Sequence, residues 1–290
     1  MNQIIYSVII TLSFLLCNDT EKYLFKNNVD LIQITDSESI SEFTMGTNIG
    51  ISTHSSRITH EFFPVTDNKN YKYKQVVSFS SVIATDRRND KTRPDHGAQK
   101  LNGCIFTNYI DSTGISDYSE GNNDIAKEMI EEAGDRVGFM FGDGLDYNYL
   151  YPFGSDTLRA VGETWQIINE NVATQEDRSG MDNFVGTTSV TTIYTFKKIK
   201  EKRGELIAYI DSDVIFNVRG ISQSWEEDWE MDFSGEVHQE IRFNITKGIL
   251  IKERGVSSFR GNGKNLETEK TESFFISADN SNKSKYKNKK

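Results

Sequence analysis

The densest group of side chains that could carry chemistry lies near the middle of the chain. The segment GDGLDYNY at 142–149 places Asp143, Asp146 and Asn148 beside two glycines. Carboxylate and amide oxygens are the ligands that Ca²⁺ prefers, but their spacing here differs from that of an EF-hand loop. We therefore interpret the segment as a Gly/Asp turn between aromatic strands. A hydrolase that uses the carboxylates of Asp143 and Asp146 is kept as an alternative.

A second acidic group is the run WEEDWEMDF at 225–233. Successive strand residues point to opposite faces, so in a strand one face would carry Glu226, Asp228, Glu230 and Asp232. The other face would carry Glu227, Trp229 and Met231. Four carboxylates on one face repel each other unless they are neutralised. We therefore predict a solvated outer face beside a half-buried one, rather than a metal site or a general-acid pair.

The four histidines do not form a metal-binding pattern. They are His54, His60, His96 and His238, and no two have the i, i+4 spacing of a helical zinc site. The even spacing of His54 and His60 puts both on one face of a strand, and we expect exposed strand or loop histidines there. No nucleophile motif, phosphate-binding loop or dinucleotide motif occurs. The sequence therefore predicts no catalytic residue, no metal site and no cofactor.

The two cysteines, Cys17 and Cys104, are too few for a disulfide framework. Cys104 lies in the segment GCIFTNYI, and no base partner for a nucleophile is visible near it in the sequence. We predict that Cys104 is a small buried apolar residue in a strand.

The N-terminal run from Ile4 to Leu16 is apolar except for a tyrosine and three small hydroxyl residues. It has the length of a signal-peptide core and falls short of the roughly 20 residues that cross a bilayer. The sequence therefore predicts export, with a leader at 1–17 and no transmembrane span in the mature chain. The preceding residues MNQ contain no lysine or arginine. This leaves open a buried first strand or helix of a cytoplasmic protein.

Cys17 stands where the apolar run turns polar, in FLLCND. This layout resembles the leaders of bacterial lipoproteins, in which a cysteine after the apolar run receives a thioether-linked lipid. That pattern has a small residue before the cysteine, whereas Leu16 occupies the position here. Two fates stay open: lipidation of Cys17, or ordinary cleavage between Cys17 and Asp19.

The bulk composition indicates a globular, acidic protein. The 290 residues include 18 Phe, 12 Tyr and 3 Trp, which supply enough apolar surface for a core. The net charge is −10 and the isoelectric point is near 5.0. An acidic surface repels phosphate backbones, so the composition argues against a nucleic-acid partner.

The elements that must position these residues are mostly strands. Segments of alternating apolar and polar residues, separated by Gly, Asn and Asp turns, predict a mainly β protein with a curved antiparallel sheet or half-barrel. The segment 122–135 predicts one covering α-helix, with cap candidates at its start and Ile125, Met129 and Ile130 on one face. The charged segment 86–103 predicts a mobile loop.

The sequence predicts two similar β-rich halves, at 20–155 and 156–278. Segments 56–83 and 191–216 share a pattern of strand, short charged turn and longer strand, and segments 106–121 and 242–255 share a glycine turn between strands. This predicts a duplication, although ordinary hairpins would give the same pattern. The polar, lysine-rich tail at 279–290 predicts disorder.

Two short motifs carry a resemblance to a known class. They are VGETW, from Val161 to Trp165, and the late hairpin ITKGILI, from Ile245 to Ile251. With the leader and the two halves, they resemble uncharacterised exported bacterial proteins and lipoproteins of unknown function. The layout of sheet and covering helix also resembles the half-barrel of periplasmic lipoprotein carriers, at the level of the fold.

These patterns predict a non-catalytic envelope protein, either soluble or lipid-anchored, in the periplasm, the outer membrane or at the cell surface. Its expected partner is an apolar or lipid-like ligand, or an envelope protein, bound at the concave face of the sheet. The aromatic segment Phe139 to Phe153 would form either core or an apolar pocket. The first alternative is a structural or adhesive surface protein without a ligand pocket, and the second is the carboxylate hydrolase.

Overall fold

The fold was obtained as a computed structural model. It describes the residues 21–25, 29–45, 48–66, 73–88, 91–110, 116–133, 157–173, 183–223 and 228–289. The predicted leader at 1–17 and its Cys17 lie outside these residues. So do Asp143, Asp146, Asn148 and the whole of 139–153.

Strands dominate the described part of the chain. The first seven are β1 (Lys22–Tyr23), β2 (Leu31–Met45), β3 (Asn48–Pro64), β4 (Tyr73–Arg88), β5 (Lys91–Pro94), β6 (Ile105–Ile110) and β7 (Ser116–Gly121). The others are β8 (Arg159–Ala160), β9 (Thr164–Ala173), β10 (Asn183–Lys202), β11 (Glu205–Gln223), β12 (Asp228–Asn244), β13 (Ile249–Asn265) and β14 (Thr271–Asn288). The helices are α1 (His96–Gln99) and α2 (Asp124–Ala133).

Twelve of these strands form one open antiparallel sheet. Its order is β7-β6-β4-β3-β2-β14-β13-β12-β11-β10-β9, and β5 pairs with β4. The first long strand of the N-terminal half, β2, pairs with the last strand of the chain, β14, so strands of both halves lie in this sheet. The short strands β1 and β8 pair with each other in a separate two-stranded sheet. The prediction of a mainly β, antiparallel protein is confirmed. The compared segments 56–83 and 191–216 fall in the β3–β4 and β10–β11 hairpins, while their duplication stays a prediction.

The predicted covering helix is present as α2. Asn123 caps its start, because the Asn123 side-chain oxygen accepts a hydrogen bond from the Ala126 backbone at 2.7 Å. The predicted apolar face needs correction. Ala126 and Ile130 pack on the sheet, whereas Ile125 is 40% exposed. Gly121 permits this packing, since a Cβ there would lie 2.6 Å from the helix backbone.

Two predictions of unstructured segments are wrong. The tail from 279 to 288 is the second half of β14, which pairs with β2 as far as Asn288 and with β13 as far as Lys283. Its lysines alternate with Asn282, Ser284 and Tyr286, and this alternation suits a strand with one solvated face. The predicted loop at 86–103 holds the end of β4, β5 and α1. There, the Asn102 side chain pairs with the Val82 backbone next to the bulge in β4.

The sheet curls around its main core, which lies at one end of the strands that we call the base. The core combines Phe62 and Tyr73 of the first half with aromatic and aliphatic residues of the second, among them Trp165, Tyr194, Phe196, Ile210, Ile241 and Phe243. The Gln33 side chain of β2 accepts a hydrogen bond from the Leu250 backbone of β13, although β14 lies between these strands. A second apolar cluster lies under α2.

The VGETW motif forms a turn that fixes β9 to the core. Gly162 has a φ of +90°, a left-handed conformation that favours glycine, and its backbone N–H donates to the Phe196 carbonyl. The Glu163 carboxylate accepts hydrogen bonds from Arg159 and from the Ala160 backbone. The Arg159 guanidinium in turn stacks 4.6 Å from the centre of the Trp165 ring. These contacts are therefore sufficient to explain why the VGETW residues stand at these positions.

Among the described residues, none of the helices combines the length and the apolar character needed to cross a bilayer.

Candidate functional site

The sheet has two chemically different faces. Residues paired directly across antiparallel strands point to the same face, so the register assigns each strand residue to a face. Through most of the length of β2, β9, β12 and β13, the inner face carries their odd-numbered residues. It carries the even-numbered residues of β3, β10, β11 and β14. Both apolar clusters lie on it. Ion pairs such as Arg57–Asp36, at 2.7 Å, lie on the outer face.

Away from the base, the inner face is aromatic. We call the set Phe43, Phe216, Phe233, Phe259, Phe274 and Ile276 the aromatic face. The ring centres of Phe216 and Phe259 are 5.6 Å apart, as are those of Phe233 and Phe274. The rings are half-buried, and Ile276, which pairs with both Phe43 and Phe259, is 36% exposed. This surface is therefore apolar and still accessible.

Glycines opposite the rings shape the aromatic face. A Cβ at Gly235 would lie 2.0 Å from the Phe259 ring, and one at Gly261 would lie 2.3 Å from the Phe233 side chain. Gly50 meets the Phe43 ring in the same way. The Phe43 and Phe259 rings thus extend over neighbouring strands that have no side chain at that point. These glycines therefore leave room for the rings on the inner face.

Between the base and the aromatic face, the inner face is polar. One row across the sheet consists of Glu253, Asn282, Ser37 and Ser56. The next row contains Gln239, Asn280, Ser39 and His54, with Gly255 between Gln239 and Asn280. We call these eight residues the polar belt. Six of them are buried, namely Ser37, Ser39, Ser56, Gln239, Glu253 and Asn282.

A buried carboxylate organises the middle of the polar belt. The Gln239 side-chain amide donates to one oxygen of Glu253 at 2.8 Å, and the Asn282 amide donates to the other at 3.1 Å. Two side-chain amides on neighbouring strands thus hold the carboxylate in place. Polar groups are buried at low cost only when they are hydrogen-bonded in this way.

Lysine and arginine are scarce on the inner face. Among the described residues of β2–β4, β6 and β9–β14, Arg88 is the one lysine or arginine that lies on the inner face. Its guanidinium pairs with Asp86 at 2.8 Å and lies 5.2 Å from the centre of the Phe43 ring. The polar belt itself contains a carboxylate and neither a lysine nor an arginine.

His54 and His60 share the inner face, as their even spacing predicts, but the expectation that both are exposed is wrong. His60 pairs with Gln33 on β2 and Val77 on β4 and is buried. Burial lowers the pKa of His60 to about 3, because the charged imidazolium would lose its hydration there. The imidazole is therefore neutral at physiological pH. His54 is half-buried in the polar belt.

The acidic run lies as predicted where it is described. Asp228, Glu230 and Asp232 are on the outer face, and Trp229 and Met231 are on the inner face, half-buried. Arg219 pairs with Asp232 at 3.2 Å, and Glu230 lies opposite Lys264. Cross-strand cations thus relieve the repulsion among the carboxylates.

The other singled-out residues are scattered. Cys104 is fully buried next to the start of β6, and burial raises the pKa of its thiol. His96 is exposed at α1, and His238 is exposed on the outer face, where it pairs with Asp213 at 2.7 Å. No group of three or more His, Cys, Asp or Glu side chains that could hold a metal ion occurs within the ranges described above.

The aromatic face was missed at the level of sequence, although a signal for it exists. β12 carries FSG at 233–235, and β13 carries FRGNG at 259–263. The antiparallel register pairs Phe233 with Gly261 and Gly235 with Phe259, so each phenylalanine lies opposite a glycine. A repeated Phe-x-Gly in neighbouring strands therefore predicts rings lying across one face of the sheet.

No protein-family model matches the chain, and no curated protein sequence is significantly similar to it. The function is therefore argued from the geometry of the inner face.

Proposed function

We propose that this protein is a non-catalytic, exported envelope protein that holds an apolar or lipid-like ligand against the aromatic face. The observation that carries the proposal is the set of half-buried rings on the inner face of an open sheet, next to a buried polar belt. Small-molecule sites are lined mainly by apolar and aromatic side chains with a few placed polar groups.

The chemistry of the two faces supports a ligand on the inner one. The outer face carries cross-strand ion pairs such as Arg57–Asp36 and Lys197–Asp211. Its exposed apolar residues, among them Ile40, Val256 and Phe275, lie among polar side chains. Removing the aromatic face from water would stabilise a complex by roughly 25 cal/mol for each Å² of apolar surface covered. On the inner face the phenylalanine rings lie in contact with each other, so an apolar ligand there would cover adjacent apolar side chains.

The cellular part of the proposal depends on the N-terminal run. The apolar stretch from Ile4 to Leu16 supports export, and Cys17 supports either a lipid anchor or a nearby cleavage site. The resemblance to exported bacterial proteins and to periplasmic carrier half-barrels supports the same location. Together they favour an envelope ligand, either a lipid-like molecule or an envelope protein.

A structural or adhesive envelope protein without a pocket is the second candidate. Packing under α2 favours it, because Leu101, Cys104, Phe106 and Ala126 there are fully or almost fully buried. The helix therefore covers a filled apolar cluster, so the aromatic face rather than the space under α2 is the proposed ligand surface. The hydrolase alternative depends on Asp143 and Asp146, which lie outside the described residues.

Native mass spectrometry of the protein purified from its host envelope tests the proposal. We expect a mass above that of the polypeptide under native conditions, with the excess lost on denaturation, because a bound lipid is held without a covalent bond. An excess that survives denaturation would instead report a lipid on Cys17. A bare polypeptide mass in the native spectrum would contradict a tightly held ligand and favour the structural alternative.

A further inference from the structure

We infer that the polar belt binds the head of the ligand, and that this head is uncharged and rich in hydroxyl groups. The inference rests on the proposed function and deepens it, because it names a class of ligand: a single-chain neutral amphiphile, such as a monoacylglycerol. The aromatic face would contact the chain of this ligand, and the belt would contact its head.

The two surfaces are continuous along the same strands. On β14, Asn280 of the polar belt is four residues from Ile276 of the aromatic face, and on β2, Ser39 is four residues from Phe43. Four strand residues span about 13 Å. Ser41 and Ala278 lie between them on the inner face, so small side chains connect the belt to the rings. An extended amphiphile could therefore contact both surfaces without displacing a strand.

The belt holds polar atoms that lack protein partners. Ser56 is 4% exposed, and its hydroxyl has no hydrogen-bond partner within the described part of the chain. The side-chain oxygen of Asn280, one row closer to the aromatic face, likewise has none there. A buried hydroxyl without a partner costs about 1–3 kcal/mol. A ligand hydroxyl that bonds to Ser56 or Asn280 would recover this loss.

The charge of the belt selects against an anionic head. Glu253 is a belt member, buried between Gln239 and Asn282, whereas lysine and arginine are absent from the belt. Arg88, on the inner face beyond the belt, is already paired with Asp86. A carboxylate or phosphate head entering the belt would lose its hydration and meet the Glu253 carboxylate, and the eight belt residues include no lysine or arginine to neutralise it.

A competition experiment on the full chain tests the head preference. The neutral apolar dye N-phenyl-1-naphthylamine reports occupancy by fluorescence, and 1-monolauroylglycerol and laurate compete for it at pH 8, both below their micellar concentrations. The two competitors share one acyl chain and differ in the head. We expect the glycerol ester to bind at least tenfold more tightly than the carboxylate, roughly the effect of one charge-assisted hydrogen bond or repulsion.

Ser56→Ala isolates the contribution of the belt. Because the Ser56 hydroxyl has no hydrogen-bond partner among the described residues, the substitution should leave the melting temperature unchanged or higher. It should lower the affinity for 1-monolauroylglycerol about threefold to tenfold, the effect of one lost hydrogen bond. The affinity for the dye should stay the same. The matched control is Ser55→Ala, which removes the neighbouring exposed hydroxyl from the outer face. It should change neither the melting temperature nor the affinity for 1-monolauroylglycerol.

The outcomes separate the two claims. If the dye and both competitors fail to bind, the proposed function is wrong, and the inference is wrong with it. If the dye binds but laurate competes as well as its glycerol ester, or Ser56→Ala keeps full affinity for the ester, the inference alone is overturned. A neutral-head preference that falls in Ser56→Ala and persists in Ser55→Ala supports it.

Discussion

Phe196→Ala is expected to lower the free energy of unfolding by about 3–5 kcal/mol, the usual effect of truncating a fully buried phenylalanine. Phe196 is 0% exposed, and its ring lies edge-on to Phe25 at 5.3 Å and to Tyr23 at 6.0 Å. The Phe196 carbonyl also accepts a hydrogen bond from the backbone N–H of Gly162 in the VGETW turn. Urea denaturation followed by tryptophan fluorescence measures the effect.

The composition of the base core also predicts how the chain unfolds in that experiment. It combines Phe62 and Tyr73 from the first half with Phe196 from the second, so the two halves are expected to unfold in one transition. Phe275→Ala, at an outer-face ring that is 46% exposed, is the matched control and should cost less than about 1 kcal/mol. Equal losses in the two variants, or a Phe196→Ala loss confined to one of two transitions, would contradict this core.

The second large effect is a dependence of stability on pH that originates at His60. Its pKa is about 3 when folded, against the ordinary 6.5. Between these values the unfolded chain binds a proton that the folded chain does not, so stability present above pH 6.5 is lost as pH falls towards 3. At pH 4 the loss from this residue is about 3 kcal/mol. Urea titrations at pH 7 and pH 4 measure it.

His60→Gln separates this contribution from that of the carboxylates, which titrate in the same range. The difference in unfolding free energy between wild type and His60→Gln should shift by about 3 kcal/mol from pH 7 to pH 4, in favour of the variant. His238→Gln, at the exposed outer-face histidine, is the control for removing an imidazole outside the core. A difference that stays constant with pH would show that His60 is not buried neutral.

Much of the fold could be predicted because its signals are local. Alternation of apolar and polar residues located most of the strands, and the Asn123 cap placed α2 within two residues of its start. The face of α2 could not be read from its apolar residues. Ala126 packs inward because Gly121 lets the helix approach closely, and that contact involves the preceding strand.

The inner face was harder to predict because its strands do not alternate between apolar and charged residues. In β2, the inward Ser37, Ser39 and Ser41 alternate with outward Glu38 and the exposed Ile40. A strand of this kind resembles a polar segment, and the same ambiguity made the end of β14 resemble a disordered tail. Only the pairing of β2 with β14 brings these residues into one buried belt.

The central claim is that the aromatic face binds an apolar ligand, and two neighbouring phenylalanines of β14 test it most directly. Phe274 belongs to the aromatic face, and Phe275 points to the outer face. Titration of the full chain with N-phenyl-1-naphthylamine should show binding that falls about tenfold in Phe274→Ala, since truncating an aromatic anchor costs more than about 1 kcal/mol. Phe275→Ala should bind as wild type does. Equal affinities in the two variants, or no binding to wild type, would contradict the claim.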